Sequence, residues 1–389
     1  MTLRFLTACF LALLLGAVPA SAITRTVMQD GSGDFMDIQA AVDACAVGDT
    51  VLVGPGRYEG YHPFQPSGQD IGWEVIVGVA VDSLTIRGMD NETVILGPAT
   101  KSDDRLVRIG IANARSTTWI NLENLRFENI GSRGVDIIET GRVSECVFYH
   151  MNTGIYIEIG HDVLVEECQF QVSRISINYY REDIGAKVVI RNSHFESGGW
   201  GISGAGVYVE RHPDTLVESC SFDNLTVAAE SYYGAYLRVV SCEINGGNTA
   251  ISGSNYGSGS IEVRDCRMLD QAIHTIRING SHLTGTGNTL RCIGDYTIQA
   301  PNSSADFHGN HILKAGIGTI EVQYQTVPDQ GLDFSGNWWG TTDADSIAAW
   351  IHDVQDDPGL VAEVVYEPYL PAPVAAEQKS MGDLKRMFR

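Results

Sequence analysis

The sequence predicts an all-β solenoid, a parallel β-helix of about 11 coils with short helical caps at both ends. Three observations predict it. A cysteine-bearing hexad recurs: "VSECVF" from Val143, "VEECQF" from Val165, "VESCSF" from Val217, "VVSCEI" from Val239 and "VRDCRM" from Val263. The apolar residue two places after each cysteine belongs to a longer series: Phe127, Phe148, Phe170, Phe195, Phe222, Ile244, Met268, Leu290, Ile312 and Trp339. Its intervals are 21, 22, 25, 27, 22, 24, 22, 22 and 27, a period of about 22 with insertions. Each unit also reads alike: a short alternating run, the apolar marker, Asn or Gly, then a second short run such as "GIYIEI" or "GVYVE". Short apolar runs separated by Gly, Asn and Asp are strands and turns, not helices. Leucine-rich repeats share the period but need a leucine-asparagine signature that is absent, and a propeller blade needs nearly twice the length.

Residues 1–22 read as a secretory signal peptide. Arg4 begins it, Phe5 to Val18 is an uncharged apolar run, and Ala20-Ser21-Ala22 is a small-residue cleavage pattern. Export to the medium, the periplasm or the cell surface is expected, with cleavage after Ala22. The run is short for a bilayer span, and no later stretch is long and apolar enough. Residues 23–80 form the N-terminal cap and first coil. Ile38, Ala41, Val42 and Cys45 fall at helical spacing, with Asp34 available as N-cap, and "DTVLV" then opens the coils. Residues 81–340 are the coils. In 341–371, Ile347, Trp350, Ile351 and Val354 repeat the helical spacing and "LVAEVVYEPYL" reads as a last strand. Residues 372–389 are a tail with little to bury.

In-register coils stack equivalent residues about 4.8 Å apart. The position two before each marker is therefore an interior ladder: Leu125, Cys146, Cys168, Ser193, Cys220, Cys242, Cys266, Asn288, Asn310 and Asn337. Free cysteine behaves there as a small hydrophobe, and stacked asparagines bond along the axis. Seven cysteines outside the signal peptide make a poor disulfide framework, and with no CxxC pair no metal site is expected. A net charge of −22 argues against nucleic acid and anionic membrane as partners.

"DGSGDFMDIQAAVDA" followed by "VLVGPGRYEG" resembles the opening of pectin methylesterases. More broadly it is similar to the capped first coil of the pectin-lyase-like superfamily. The resemblance implies a right-handed single-stranded parallel β-helix. It carries no activity over. "DFHGN" and "DFSGN" echo a fragment of the methylesterase motif without its partners. The polygalacturonase GHG and RIK motifs and the calcium-binding aspartates of pectate lyases are not found.

Candidate site residues come from the strand after each marker. One outward column is read as Asp136, Tyr156, Ser176, Tyr208, Ala228, Ser252, His274. The next is read as Ile138, Glu158, Asn178, Glu210, Glu230, Ser254. His161, Tyr179, Tyr180, Arg181, Arg211, His212, Tyr232, Tyr233 and Tyr256 lie beyond, with Trp200 in a long insertion. Tyrosines beside carboxylates suit sugar rings: the aromatic face covers C–H groups and polar atoms bond hydroxyls. Tyr156, Glu158, Tyr179, Tyr208, His212, Tyr232 and Tyr233 are the expected binding set, although β-strands favour exposed tyrosine in any case. Glu210 and Glu230, read as neighbours about 5 Å apart, with Arg211 against a uronate, are the expected catalytic set if there is one. Two functions follow: a secreted or surface protein binding glycan or another macromolecule along its side, or a lyase or hydrolase of acidic polysaccharide. No residue here assigns a cofactor.

Overall fold

A computed structural model describes residues 22–65, 73–100, 108–114, 119–138, 140–158, 162–171, 174–178, 187–197, 205–212, 214–323 and 331–373, the side chains of 205 and 255–258 aside. The expected signal peptide and tail lie almost wholly outside these residues, as do His161, Tyr179, Tyr180, Arg181, Trp200 and the side chain of Tyr256.

The strands wind into a parallel β-solenoid with three walls. One wall is an 11-stranded parallel sheet running from Gly56–Tyr58 to His311–Leu313, and it carries the apolar markers. The other two, here called front and rear, are joined into a 25-stranded sheet through the long strands Thr249–Arg264 and His274–Thr286. A typical coil runs Val147–Tyr149 on the marker wall, Thr153–Ile157 on the front and Asp162–Glu166 on the rear.

Two bends per coil explain why Asn, Asp and Gly punctuate the sequence. The residue before each ladder position is left-handed, with φ of 56° at Asn124, 55° at Glu145, 53° at Ser219 and 73° at Gly287. So is the residue two after many markers, as at Asn129, His150, Asn224 and Asp270. Asn, Asp and Gly enter this region at least cost.

The core is a set of ladders. Phe127, Phe148, Phe170, Phe195 and Phe222 stack nearly parallel with ring centroids 4.6–5.0 Å apart. Isolated rings prefer offset or edge-on pairs; here the strand spacing dictates the geometry. Cys146, Cys168, Cys220, Cys242 and Cys266 are buried and unpaired, each thiol donating to a carbonyl two residues back at 3.2–3.4 Å. Burial pushes the thiols of Cys168, Cys242 and Cys266 well up, so they are inert packing groups. Asn288, Asn310 and Asn337 continue the ladder with amide-to-amide bonds of 2.8 and 3.1 Å.

Both caps correct the reading in detail. The N-terminal helix is Ile38–Asp43, and its N-cap is Asp37, which accepts from Ala40 N–H at 3.0 Å. Asp34 instead accepts from the amide and hydroxyl of Thr26. The C-terminal helix, Ala344–Ala349, stops at Trp350. Ile351 opens a strand against Ile320, and Val354 lies beyond the helix. The last strand is only Val364–Val365.

Outside the front wall, Phe64 and Trp73 pack with Val75, Ile109, Ala112 and Ile138 in a second cluster beside an antiparallel pairing of His62–Phe64 with Trp73–Val75. Hence Ile138, read as an outward position, is buried apolar contact, and Asp136 beside it is 1% exposed.

Candidate functional site

The front wall points one aligned column outward. Inward positions are apolar and buried, among them Val135, Ile155, Ile175, Val207, Ala229, Ile251 and Ile276. Each next residue points out: Asp136, Tyr156, Ser176, Tyr208, Glu230, Ser252, Arg277 and Gln299 are register partners on successive coils. Beside them run Asn178, Glu210, Tyr232, Ser254 and Asn279.

This register corrects the sequence alignment by two residues at Val227–Tyr232. Glu230 is opposite Tyr208, and Tyr232 is opposite Glu210. Ala228 and His274 leave the column, both buried, and Arg277 takes the place given to His274. Glu210 and Glu230 are thus diagonal rather than direct partners, so the spacing of about 5 Å read from direct stacking no longer follows from the register.

Tyr208 and Tyr232 lie 5.3 Å apart between ring centroids, and Tyr233 is 6.0 Å from Tyr232. Arg211 and Tyr233 are left-handed corner residues after paired strands, which sets the Arg211 guanidinium 4.9 Å from the Tyr233 ring. Arg211 also pairs with Glu210 at 3.3 Å, and Tyr208 donates to Glu210 at 3.2 Å. Burial and the Glu210 charge push the Tyr208 phenol up, so its phenolate is disfavoured. Tyr156 accepts from the Asn178 amide at 3.0 Å, and the Arg133 guanidinium covers its ring at 3.5 Å. Glu158 lies two residues beyond Tyr156, and its charge acts on Asp136.

His212 is not on this face. It is buried, and its Nδ1 faces the Asp214 amide at 3.2 Å and the Thr215 hydroxyl at 3.0 Å, so it holds the corner into the rear strand. Tyr179 lies outside the described residues.

Two groups on the face were missed as site residues. The Arg174 guanidinium stands 5.7 Å from the Tyr208 ring, and Arg277 follows Ser252 in the column. Alternation shows Arg277: Ile276 and Ile278 point inward, so the residue between them points out. Both arginines act on Glu230. Burial raises the carboxyl of Glu230, while hydrogen bonds from Tyr232 and Ser252 and the two arginine charges oppose the rise. Asp136, fully buried, is pushed up to about 6 by desolvation, with the paired Arg133 opposing.

The face also holds orphaned polar atoms. Asp136 Oδ1, Arg174 Nε, Ser176 Oγ and Asn178 Oδ1 are buried without a hydrogen-bond partner. Native proteins leave few such groups unmet, and each costs about 1–3 kcal/mol. All four lie on one wall within three successive coils. Chemically, the face offers a pair of tilted aromatic rings and two arginines, with the four orphaned atoms buried beneath it.

The family model described as right handed beta helix region matches residues 181–338. Among solved structures, a periplasmic alginate epimerase is similar at 12% identity, covering 72% of this chain and 75% of its own, with a TM-score of 0.45. A pectate lyase matches at 12% identity, 92% and 90% coverage and a TM-score of 0.41. A mannuronic acid specific polysaccharide family 6 lyase from human gut microbiota matches at 12%, 94% and 94%, and 0.42. No curated protein matches. The chain has the fold that the family model describes, a right-handed parallel β-helix.

Proposed function

We propose that the protein is exported and binds an acidic polysaccharide along the front wall. Sugar rings lie on Tyr208 and Tyr232, and uronate carboxylates meet Arg174 and Arg277. The paired rings of Tyr208 and Tyr232, with Arg174 and Arg277 on the same face, carry the reading. They stand on a rigid track whose rise per coil is about 4.8 Å. Tyr208→Ala with Tyr232→Ala tests it. Each ring contact is worth roughly 1 kcal/mol, so the pair should weaken binding tenfold or more with the circular dichroism spectrum unchanged. Retention of the double variant equal to the parent's on affinity gels of polyuronate removes the tyrosines from the site. A parent that binds no member of an acidic polysaccharide panel removes the glycan reading itself.

A second reading has a specific observation in its favour. Glu230 is the one carboxylate on this face with a raised pKa and two arginines acting on it among the described residues outside the buried Asp136–Arg133 pair. A carboxyl that holds its proton more tightly than usual is closer to what a general acid needs. In this reading Glu230 transfers the proton and the arginines hold the uronate. Glu210, held by Arg211 and Tyr208, is a positioning group. It predicts product release from the bound polymer, either new reducing ends or unsaturated uronate absorbance. A polymer bound and recovered at its original length leaves binding as the whole function.

A further inference from the structure

Away from the front wall, the rear wall carries a second cluster at its C-terminal end. Asp306, in Ser304–Phe307, and Asp333, in Leu332–Asp333, are register partners on successive coils. Like charges directly opposite in a sheet are destabilising. One oxygen from each carboxylate and one ring nitrogen of His308 lie within 4.8 Å of one another.

The histidine Nδ1 is 2.8 Å from the Ser335 carbonyl, which only accepts, and 3.9 Å from Asp333 Oδ1, so Nδ1 carries the proton and Nε2, which holds the lone pair, is the nitrogen that turns to an ion. This backbone contact is the usual way a ligating imidazole is oriented. The Ser335 amide also donates to Asp333 Oδ1 at 3.0 Å, so a single residue positions two of the three groups. On the preceding coil, His282 Nδ1 meets the Ser304 hydroxyl at 2.8 Å and its Nε2 lies 3.6 Å from Asp306 Oδ2. A surface hollow of about 430 Å³ borders His308, with Glu262, Arg264 and Thr284 in its lining.

We propose that Asp306, His308 and Asp333 bind a divalent transition-metal ion, with His282 within reach through Asp306. The mixed nitrogen and oxygen set suits zinc, cobalt or nickel better than calcium, which takes six to eight oxygens. Three protein ligands leave a position open to water or to another group. Ligand bonds of about 2.0–2.2 Å place donor atoms roughly 3.4 Å apart, so the side chains close in by about 1 Å. Asp306 is exposed enough to move, with 64% of its side chain accessible. The sequence expectation of no metal site rested on missing cysteine pairs, which says nothing about histidine and aspartate ligands. The echoes "DFHGN" and "DFSGN" supply all three ligands at equivalent places of two coils.

The test is zinc titration of tag-free, chelator-treated full chain against a chromogenic chelator, followed by cobalt absorption spectra. One ion per chain is expected. Asp333→Asn and His308→Gln should each weaken zinc binding tenfold or more, while Asp223→Asn near His194, on another wall, leaves it unchanged. Should a ligand variant fail to fold, the parent's cobalt spectrum decides: a visible band of low-coordinate nitrogen and oxygen ligation is expected. Absence of saturable uptake, ligand variants that bind as tightly as the parent, or calcium displacing zinc at equal concentration overturns the site.

Discussion

Asn310→Ala is expected to cost about 3–6 kcal/mol of stability, read as a lower denaturation midpoint with an unchanged slope. Asn310 is fully buried. Its Oδ1 accepts from the Asn288 backbone N–H at 3.0 Å and from the Asn288 amide at 2.8 Å. Its Nδ2 donates to the His308 carbonyl at 3.0 Å, the Gly285 carbonyl at 3.1 Å and Asn337 at 3.1 Å. Alanine strands these groups in an interior that water does not reach. Each unmet group costs about 1–3 kcal/mol, and neighbouring coils share the loss because a solenoid is held by nearest-neighbour contacts. The same truncation at Cys220 is the control. It removes one sulfur with weak bonds of 3.4 and 3.7 Å, and about 1 kcal/mol is expected. Equal costs at both positions would mean that the ladder works by volume alone.

The contrast between these ladders was legible before the structure, because a β-helix turns sequence period directly into spatial stacking. The Phe markers, the cysteine and asparagine ladder and the cap helices are all local patterns repeated. What failed was decided at longer range. Asp34 and Asp37 both offer a capping carboxylate, and the choice rests on Thr26, eight residues before Asp34 in a different strand. Ile351 keeps helical spacing with Ile347, yet it leaves the helix to stack on Ile320. The column slipped by two at Glu230 because Val227, Ala228 and Ala229 are all apolar, and without alternation a strand does not announce its register. Arg277 was legible by that same alternation. Arg174 was not, since it precedes its strand and reaches the Tyr208 ring across a coil.

Arg174→Ala with Arg277→Ala is expected to weaken binding of a uronate polymer by roughly a hundredfold or more. A hydrogen bond to a charged group contributes about 1.5–3 kcal/mol, and two such losses reach that factor. The rest of the molecule opposes a polyanion, since its net charge is −22. At physiological salt, charges beyond about 8 Å are largely screened, so the two local arginines outweigh the distant excess of carboxylates. Arg133, Arg211 and Arg238 are already paired with Asp136, Glu210 and Asp214, and substituting them tests the fold more than the site. The loss should be specific: retention on a neutral glucan stacked on the same tyrosines changes little. It should also shrink as salt rises, because the parent loses affinity while the variant has little left to lose. Removing the two positive charges leaves the burial of Glu230 unopposed by them, so its carboxyl rises further, and a less charged Glu230 cannot repel a uronate more strongly. A loss of affinity in the double variant therefore belongs to the arginines themselves. Binding as tight as the parent's at low salt, both in the native and in a Glu230→Gln background, would mean that the arginines do not face the ligand.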